Sequence, residues 1–332
     1  MNERAEAETY EQQLVSAERF IRANDDFLVV AHVNPDGDAA SSTFAVGWLL
    51  DRLGKRYTLA NDDAIPSKFA YLWGYSQLLT LDRLPEGATY RAVISVDCAD
   101  ESRIGQIRER IAPDAELLNI DHHPTNDYFG KHQLIRADAA ATVELLYELA
   151  EQLQVPVTRE LADCIYTGLL TDTGGFRYSN TSPHVMQIAS DLLQHGVEGY
   201  KLAENLLEKI TKSHIAVLQR ALGTLSFAYD HKICWISVSA EDMAVTNATP
   251  EDLDGLIQYP RNIEGVEVGL LFKQADERKV KVSFRSAGSV DVAQVAKTFG
   301  GGGHVRASGC TLEGELQEVI ARVVEEVGRS IG

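Results

Sequence analysis

Several things are scarce in this sequence, and each scarcity narrows what the chain can be. It has four cysteines, Cys98, Cys164, Cys234 and Cys310, and no two are spaced as CxxC. That excludes a thiolate metal knuckle and a disulfide framework, and it fits a reducing cytosol. No apolar run approaches the ~18 residues that span a bilayer, so no transmembrane helix is expected. The first residues, MNERAEAETYEQQ, are acidic and polar, unlike a signal peptide or an Arg-rich transit peptide. The expectation is a cytoplasmic protein without membrane association. No Walker-type loop, internal repeat or low-complexity tract is present. Basic residues are scarce too: 31 Lys and Arg face 49 Asp and Glu, a net charge of −18. Long nucleic acid lying across the surface is disfavoured, because polyanion binding uses clustered Lys and Arg.

What is present suits a globular protein. Hydrophobic residues make up 45% and charged residues 24% of the 332-residue chain, and that length suggests two domains. FLVVAH (27–32), YTLAN (57–61), AVISVDC (92–98) and ELLNIDHH (116–123) are short apolar runs of the kind buried on both faces of a parallel sheet. Helical periodicity falls at 39–53, 63–79, 103–111, 140–153 and 159–171. The alternation predicts an α/β domain over 1–190, with a mostly parallel sheet and helices on both faces. A helical linker follows over 191–215, within a helical pattern running from 184 to 222. KICWISVSA, VEVGLLFKQ and KVKVSFRS read as strands, the last two joined across ADER as a hairpin. With helices at DVAQVAKTF and 314–330 they predict a smaller α+β domain over 216–332.

Three of the N-terminal strands end in acid or imidazole. The first leads into His32-Val-Asn-Pro-Asp36-Gly-Asp38, a ligand set for Mn²⁺, Fe²⁺ or Zn²⁺. Alone, that spacing is equally a helix-capping Asp beside a surface His. The second ends at Asp97, which by itself reads more readily as a cap of the following helix than as a ligand, next to Cys98, a small buried hydrophobe. The third ends at Asp121-His122-His123, where adjacent imidazoles diverge, so that one can ligate metal while the other faces substrate. A fourth acid, Asp172, opens the turn TDTGGFRY. His132, His184, His195, His214 and His231 read as ordinary surface or packing residues. Acid or His at three strand ends is where open α/β sheets place their sites, and chance capping at all three is improbable.

HVNPDGD, VDCAD, NIDHHPTN and TDTGGFRY, in that order, resemble the four motifs of the DHH phosphoesterase superfamily. GGGGH (300–304) followed by RASG resembles the glycine-rich motif of the DHH-associated C-terminal domain. The resemblance covers nearly the whole chain, in the order and spacing of stand-alone NrnA-like members. These are oligoribonucleases that also dephosphorylate 3′-phosphoadenosine 5′-phosphate. One departure is visible: Ser41 stands where the family usually has Gly just before Ser42, which touches helix packing and leaves the ligands unchanged.

The resemblance implies that 1–190 is the catalytic metal-binding domain and 216–332 the substrate-binding domain. One metal would be held by His32, Asp36 and Asp97, the other by Asp38, Asp97, His122 and Asp172, with Asp97 bridging. Asp121 would orient the neighbouring imidazoles, and His123 would lie against the scissile phosphate. Two divalent cations ~3.5–4 Å apart can share a hydroxide and stabilise an in-line phosphoryl displacement. Imidazole and carboxylate ligands without thiolate favour Mn²⁺ over structural Zn²⁺.

The glycine run by itself is equally a flexible loop or a helix C-cap. His304 and Arg306 follow it, and Arg285 lies in the strand VSFRS, which favours phosphate binding by backbone N–H groups and a bidentate guanidinium. Gly301, Gly302, Gly303, His304, Arg285 and Ser286 are therefore the substrate-binding candidates, while Arg306 is equally a surface residue. The resemblance implies that this domain closes over the cleft and holds a non-scissile phosphate or nucleotide.

The expected function is a Mn²⁺-dependent phosphoesterase acting on short oligoribonucleotides and on 3′-phosphoadenosine 5′-phosphate through an activated hydroxide. The alternative is a phosphodiesterase for cyclic di-AMP or its linear product pApA. A manganese pyrophosphatase has a different C-terminal domain, and a non-catalytic nucleotide-binding module would not need all four motifs. A long-strand exonuclease of the RecJ type usually carries an added oligonucleotide-binding domain, for which the length leaves little room. A homodimer is common among such proteins. The charge divides consistently with short substrates. Residues 1–215 carry 19 basic and 33 acidic side chains, four of the acids being expected ligands, whereas 268–310 carry seven basic and three acidic.

Overall fold

Runs of Val, Ile and Leu without polar interruption form the central strands of the first unit. The structure, a computed structural model, describes residues 8–276 and 278–331, without the side chains of Ala275, Asp276 and His304. It divides after Lys209 into two compact units.

In the first unit the strands are β1 (Phe27–Val30), β2 (Tyr57–Asn61), β3 (Leu79–Thr80), β4 (Tyr90–Val96), β5 (Ile111–Asp121) and β6 (His132–Ile135). All pair in parallel, in the order β3-β2-β1-β4-β5-β6. The chain works outward from β1 to β3, then returns to β4 on the other side of β1. The carboxyl ends of β1 and β4 therefore flank the switch point, where open α/β sheets leave a crevice.

Alternation decides which face each strand residue serves. Phe27 and Val29 join a core built with the helices α1 (Tyr10–Ala23), α2 (Gly37–Arg52), α3 (Thr142–Gln152), α4 (Arg159–Asp172) and α5 (Pro183–Gln194). Leu28 and Val30 join a second core with Tyr90, Ile104 and Ile107. Short 3₁₀ segments contribute to this second core, and two stretches depart here from the sequence reading. The predicted helix over 63–79 is two three-residue 3₁₀ turns, Ser67–Phe69 and Tyr75–Gln77. Pro66 precedes the first turn, and Gly74, at φ 86°, separates them. The predicted helix over 103–111 is a 3₁₀ stretch, Glu101–Arg110, broken at Gly105 with φ 76°.

Two glycines bring α2, α3 and α4 close together. A Cβ on Gly37 would stand 2.3 Å from Thr171 Oγ1, and one on Gly168 would stand 2.6 Å from Val143 Cγ2 and 2.8 Å from Asp38 Oδ1. The N-terminal ends of α2 and α3 thereby meet α4 near its carboxyl end. After α5 come α6 (Gly199–Ala203) and a π-helical turn, Glu204–Glu208. The helical pattern expected from 184 to 222 is thus interrupted, first at Gly196 with φ 91°.

The second unit holds α7 (Lys212–Leu222), β7 (Ser226–Ala228), β8 (Ile233–Val238), α8 (Ala240–Thr246), α9 (Gln258–Arg261), β9 (Val268–Asp276), β10 (Lys279–Ser286), α10 (Val292–Thr298), β11 (Gly302–His304), β12 (Ala307–Glu313) and α11 (Leu316–Ile331). Its mixed sheet runs β11-β12-β10-β9-β8-β7, with only β8 and β9 parallel. β9 and β10 pair as the expected hairpin, whose residue Glu277 lies outside the described residues. Val282 and Phe284 pack with Val295 and Val323 of α10 and α11, while Ile236 and Leu271 pack with Val217 of α7.

Candidate metal centre

The chain leaving β1 turns through Asn34, a non-glycine residue at φ 53°. His32 is buried, and its Nδ1 lies 2.8 Å from the Val33 carbonyl. An Nδ1–H donating to that carbonyl leaves the Nε2 lone pair free for a ligand. Nε2 lies 3.5 Å from Asp97 Oδ2 and 3.9 Å from Asp36 Oδ1. Asp36 serves two purposes. The same Oδ1 accepts from the N–H groups of Asp38 and Ala39, each at 3.1 Å, and so caps α2. Both readings of this Asp hold at once.

Asp97 follows β4 directly. Its backbone sits in the left-handed region at φ 57°, and its N–H donates to the Ile120 carbonyl at 2.9 Å. A non-glycine residue is held there only where the surrounding structure over-determines it, a situation that clusters at functional sites. The Asp97 carboxylate accepts from Thr142 Oγ1 at 2.9 Å. Besides His32, His122 Nε2 and His123 Nδ1 lie 3.7 Å from its Oδ1.

β5 ends at Asp121, which is fully buried. Its Oδ1 lies 2.7 Å from His123 Nδ1, and its Oδ2 accepts from Asn126 Nδ2 at 2.6 Å. The His122 and His123 rings diverge, with planes at 59°. His122 Nδ1 lies 3.2 Å from the Ala139 carbonyl, while its Nε2 lies 3.5 Å from Asp172 Oδ2 and 3.9 Å from Asp38 Oδ2. Asp38 is fully buried, and its carboxylate accepts from the backbone N–H groups of Thr142 at 2.5 Å and Val143 at 3.2 Å.

The six expected metal donors therefore lie in one place. They form two sets, His32–Asp36–Asp97 and Asp38–His122–Asp172, within each of which the donor atoms lie inside 4.8 Å of one another. Asp97 touches both sets.

The electrostatics describe a pocket short of positive charge. Burial, then the neighbouring Asp97, pushes the Asp38 carboxyl well above the usual range. Burial, then Asp38 and Asp36, does the same to Asp172. Asp172 is also the last residue of α4, where the helix presents its carbonyls and a carboxylate is unfavourable. Burial works against an anionic Asp97 too, but the hydrogen bond to His32 and the three imidazoles outweigh it and hold its carboxyl low. Burial disfavours a charged His32 and His123, yet their partners Asp97 and Asp121 raise both net. A cluster of carboxylates and outward Nε2 atoms, with the Cys98 thiol buried and kept protonated, suits hard or borderline divalent cations.

Reading the sequence missed the groups that hold these donors. Thr142, Val143 and Ala139 belong to one segment leading into α3, and their backbone atoms are invisible to motif matching. Thr142 at the start of a periodic helix was the one signal available. The segment is itself braced: the Ala140 N–H donates to Glu144 Oε2 at 2.7 Å, and Arg136 donates to Glu144 at 2.5 Å and to Glu148 at 2.8 Å. His184, expected to be ordinary, lies 2.9 Å from Glu148 Oε1. Glu144, Glu148 and His184 also group as metal donors would, but Arg136 already neutralises the two carboxylates and His184 bonds to Glu148.

In the second unit the glycine run divides. Gly300 and Gly301 close α10, their N–H groups donating to the Lys297 and Ala296 carbonyls at 3.0 and 2.9 Å, the pattern of a Schellman C-cap. Gly302, Gly303 and the His304 backbone form edge strand β11; the His304 side chain lies outside the described part. Ala307 of β12 pairs with His304 on one side and with Arg285 on the other, which sets all three at one level of the sheet. Ser286 is buried, and its hydroxyl lies 3.4 Å from the Gly288 carbonyl. Arg306, left open by the sequence, is exposed.

Comparison with known families matches residues 26–169 to the DHH family, N-terminal domain, and residues 232–331 to the DHHA1 domain. The chain is 32% identical to the bifunctional oligoribonuclease and PAP phosphatase NrnA of Thermus thermophilus, covering 96% of this chain and 94% of that protein. It is 28% identical to the Bacillus subtilis protein of the same name, over 89% of this chain and 91% of that one. Among solved structures, an exopolyphosphatase-related protein from Bacteroides fragilis shares the fold with a TM-score of 0.90, at 24% identity over 98% of this chain and 97% of that one.

Proposed function

This chain belongs to the DHH family and carries a DHHA1 domain, and from that membership we propose that it is a Mn²⁺-dependent phosphoesterase hydrolysing short oligoribonucleotides and 3′-phosphoadenosine 5′-phosphate. The observation that carries the reading is the pair of donor sets at the switch point of the sheet, with Asp97 belonging to one and lying 3.7 Å from His122 of the other. Relatives that the chain spans almost end to end are named for both activities. His32, Asp36 and Asp97 would hold one ion, and Asp38, Asp97, His122 and Asp172 the other. Two bound divalent cations supply an activated water and offset the charge that develops on a transferring phosphoryl group.

The remaining work falls to the protein. Val33 and Ala139 carbonyls fix the tautomers of His32 and His122 so that each presents Nε2. Asp121 holds His123 by Nδ1 and favours its protonated form, so His123 can donate a proton from Nε2 to a phosphoryl oxygen. Arg285 would hold a phosphate that is not cleaved, as a bidentate donor. Among the described residues no helix is long and apolar enough to cross a membrane. We place the protein in the cytoplasm, as a homodimer acting on short substrates.

The test is an assay panel with chelator-stripped protein and added Mn²⁺, offering pApA, 3′-phosphoadenosine 5′-phosphate, cyclic di-AMP and pyrophosphate. Turnover of the first two, lost without metal, is expected. Turnover of pyrophosphate with neither of the first two consumed would overturn the reading.

A further inference from the structure

The donors gathered at the switch point are carboxylates and imidazoles, and none of them is a fixed cation. A fixed cation stands beside them. Arg103 follows Asp97 by six positions, in the first turn of the 3₁₀ stretch Glu101–Arg110. Its carbonyl accepts from the Val33 N–H at 2.8 Å, and the carbonyl of the same Val33 lies 2.8 Å from His32 Nδ1. The approach is close: a Cβ on Gly105 would stand 2.6 Å from Val33 Cγ1. Arg103 is thus fastened to the chain leaving β1.

Its charge reaches the chain leaving β5. At His123 burial and then Asp121 lead, and Arg103 opposes the protonated form. At Cys98 burial pushes the thiol up, and Arg103 pulls against it. β4 lies between β1 and β5 in the sheet. Bonded at the exit of β1 and felt at the exit of β5, Arg103 lies across the carboxyl end of β4, where Asp97 sits. The side chain is half-buried, yet among the described residues it has no hydrogen-bond or ion-pair partner. Carboxylates close to it in the fold are engaged elsewhere: Asp100 accepts from the Ser102 hydroxyl, and Asp62 from the Gln106 N–H at 2.9 Å. A guanidinium partly withdrawn from water without an anion is costly, and its five donors call for one.

We propose that Arg103 is a further substrate-binding residue of the reaction, whose guanidinium holds non-bridging oxygens of the phosphate that lies against His123. Charge on a transferring phosphoryl group spreads over its equatorial oxygens, and a guanidinium fork meets two of them at once. A fixed donor aimed where that charge develops lowers the barrier without reorganising during the reaction. Arg103 belongs to the unit that carries the metal donors, and Arg285 to the other unit, so the two arginines answer for different phosphates, the cleaved and the retained. The proposal rests on the phosphoesterase reading, which it deepens by naming the side chain that meets the cleaved group.

The deciding measurement is the affinity of the Mn²⁺-loaded protein for inorganic phosphate, titrated by calorimetry. Arg103→Ala should bind phosphate about ten- to a hundredfold more weakly, the scale of a lost charge-assisted hydrogen bond, with metal content unchanged. kcat/KM for 3′-phosphoadenosine 5′-phosphate should fall by a similar factor. Methylguanidine should restore part of that loss in Arg103→Ala and leave the wild type as it was, a response that a merely structural residue would not give. Arg103→Lys keeps the charge without the fork and should fall between the two. Wild-type phosphate affinity in folded Arg103→Ala overturns the proposal. So does weaker binding that comes with lost Mn²⁺, which would make Arg103 a brace for the chain leaving β1. If Arg103→Ala does not fold, Arg103→Lys decides: weaker phosphate binding with full metal content sustains the proposal, and equal binding overturns it. If the wild type hydrolyses neither pApA nor 3′-phosphoadenosine 5′-phosphate, the phosphoesterase reading fails instead, and the phosphate titration still decides the role of Arg103 as an anion site.

Discussion

The Thr142 hydroxyl donates to Asp97 Oδ1 at 2.9 Å, while its backbone N–H donates to Asp38 Oδ2 at 2.5 Å. One residue at the start of α3 thus fixes a carboxylate from each donor set. Thr142→Val keeps the shape and the N–H but loses the hydroxyl. Groups that orient metal ligands typically contribute ~10–100-fold in affinity, so Mn²⁺ binding should weaken within that range, and the melting temperature should fall by an amount matching the loss of one buried donor, about 1–3 kcal/mol. Thr142→Ser should restore affinity. A Mn²⁺ titration followed by electron paramagnetic resonance checks both, and wild-type affinity in the Val variant would refute the role.

Asp97 contacts both donor sets, so Asp97→Asn should lower metal content at both positions and abolish turnover. Elemental analysis of dialysed protein reads the first effect and the assay panel the second. Two ions retained with normal turnover would contradict the bridging role.

Ser41, the departure from the family pattern, is fully buried inside α2, and its hydroxyl has no hydrogen-bond partner among the described residues. An unsatisfied buried hydroxyl is destabilising, and Ala is the better helix former. Ser41→Ala should stabilise the protein by roughly 1 kcal/mol, read as a higher urea midpoint with unchanged activity. A lower midpoint would show that the hydroxyl is satisfied.

The Glu148 carboxyl is pushed up by burial, but hydrogen bonds from Tyr10 and Arg136 pull it down further, so its net value lies below 4.5. A folded value depressed below the unfolded one contributes stability that is fully present above about pH 4.5 and lost as pH falls through the folded value. Glu148→Gln should therefore lower stability at neutral pH and flatten its decline below pH 4.5. Chemical denaturation at a series of pH values from 3 to 7 measures the slope, and an unchanged acid limb would exclude this group as a source.

In the glycine run, a Cβ on Gly301 would stand 2.2 Å from the Gly309 carbonyl and 2.5 Å from Cys310 Cβ, whereas one on Gly302 meets nothing within 4 Å. Overpacking of this kind costs about 1–3 kcal/mol, so Gly301→Ala should lower the melting temperature and Gly302→Ala should not. Equal effects would show that the strand shifts to accommodate either.

Most of the site was legible because its donors stand at the ends of apolar runs: His32 after β1, Asp97 after β4, His122 after β5. That placement follows from the parallel topology and needs no coordinates. What escaped the sequence depends on long-range approach. Thr142 reaches Asp38 across 104 positions, and only the small Gly168 and Gly37 reveal that the helices carrying them touch. The stretch 63–79 misled because its apolar spacing suits a helix, while Pro66 and Gly74 within it already signalled turns. The glycine run was underdetermined for a different reason. A helix cap, a strand edge and an anion site all call for glycine, and the structure uses the first two within four residues.

The donors come from four stretches of chain, 32–38, 97, 121–123 and 172, and no stretch carries a complete set. Metal uptake is consequently tied to the history of the chain as well as to its final shape. During synthesis Asp172 is the last donor to emerge, so a nascent chain that has not yet released α4 has nothing able to hold both ions, however long its earlier strands have been folded. The set that includes Asp172 would therefore be completed only late in the synthesis of the first unit, and metal binding there would be coupled to the approach of α2, β5 and α4.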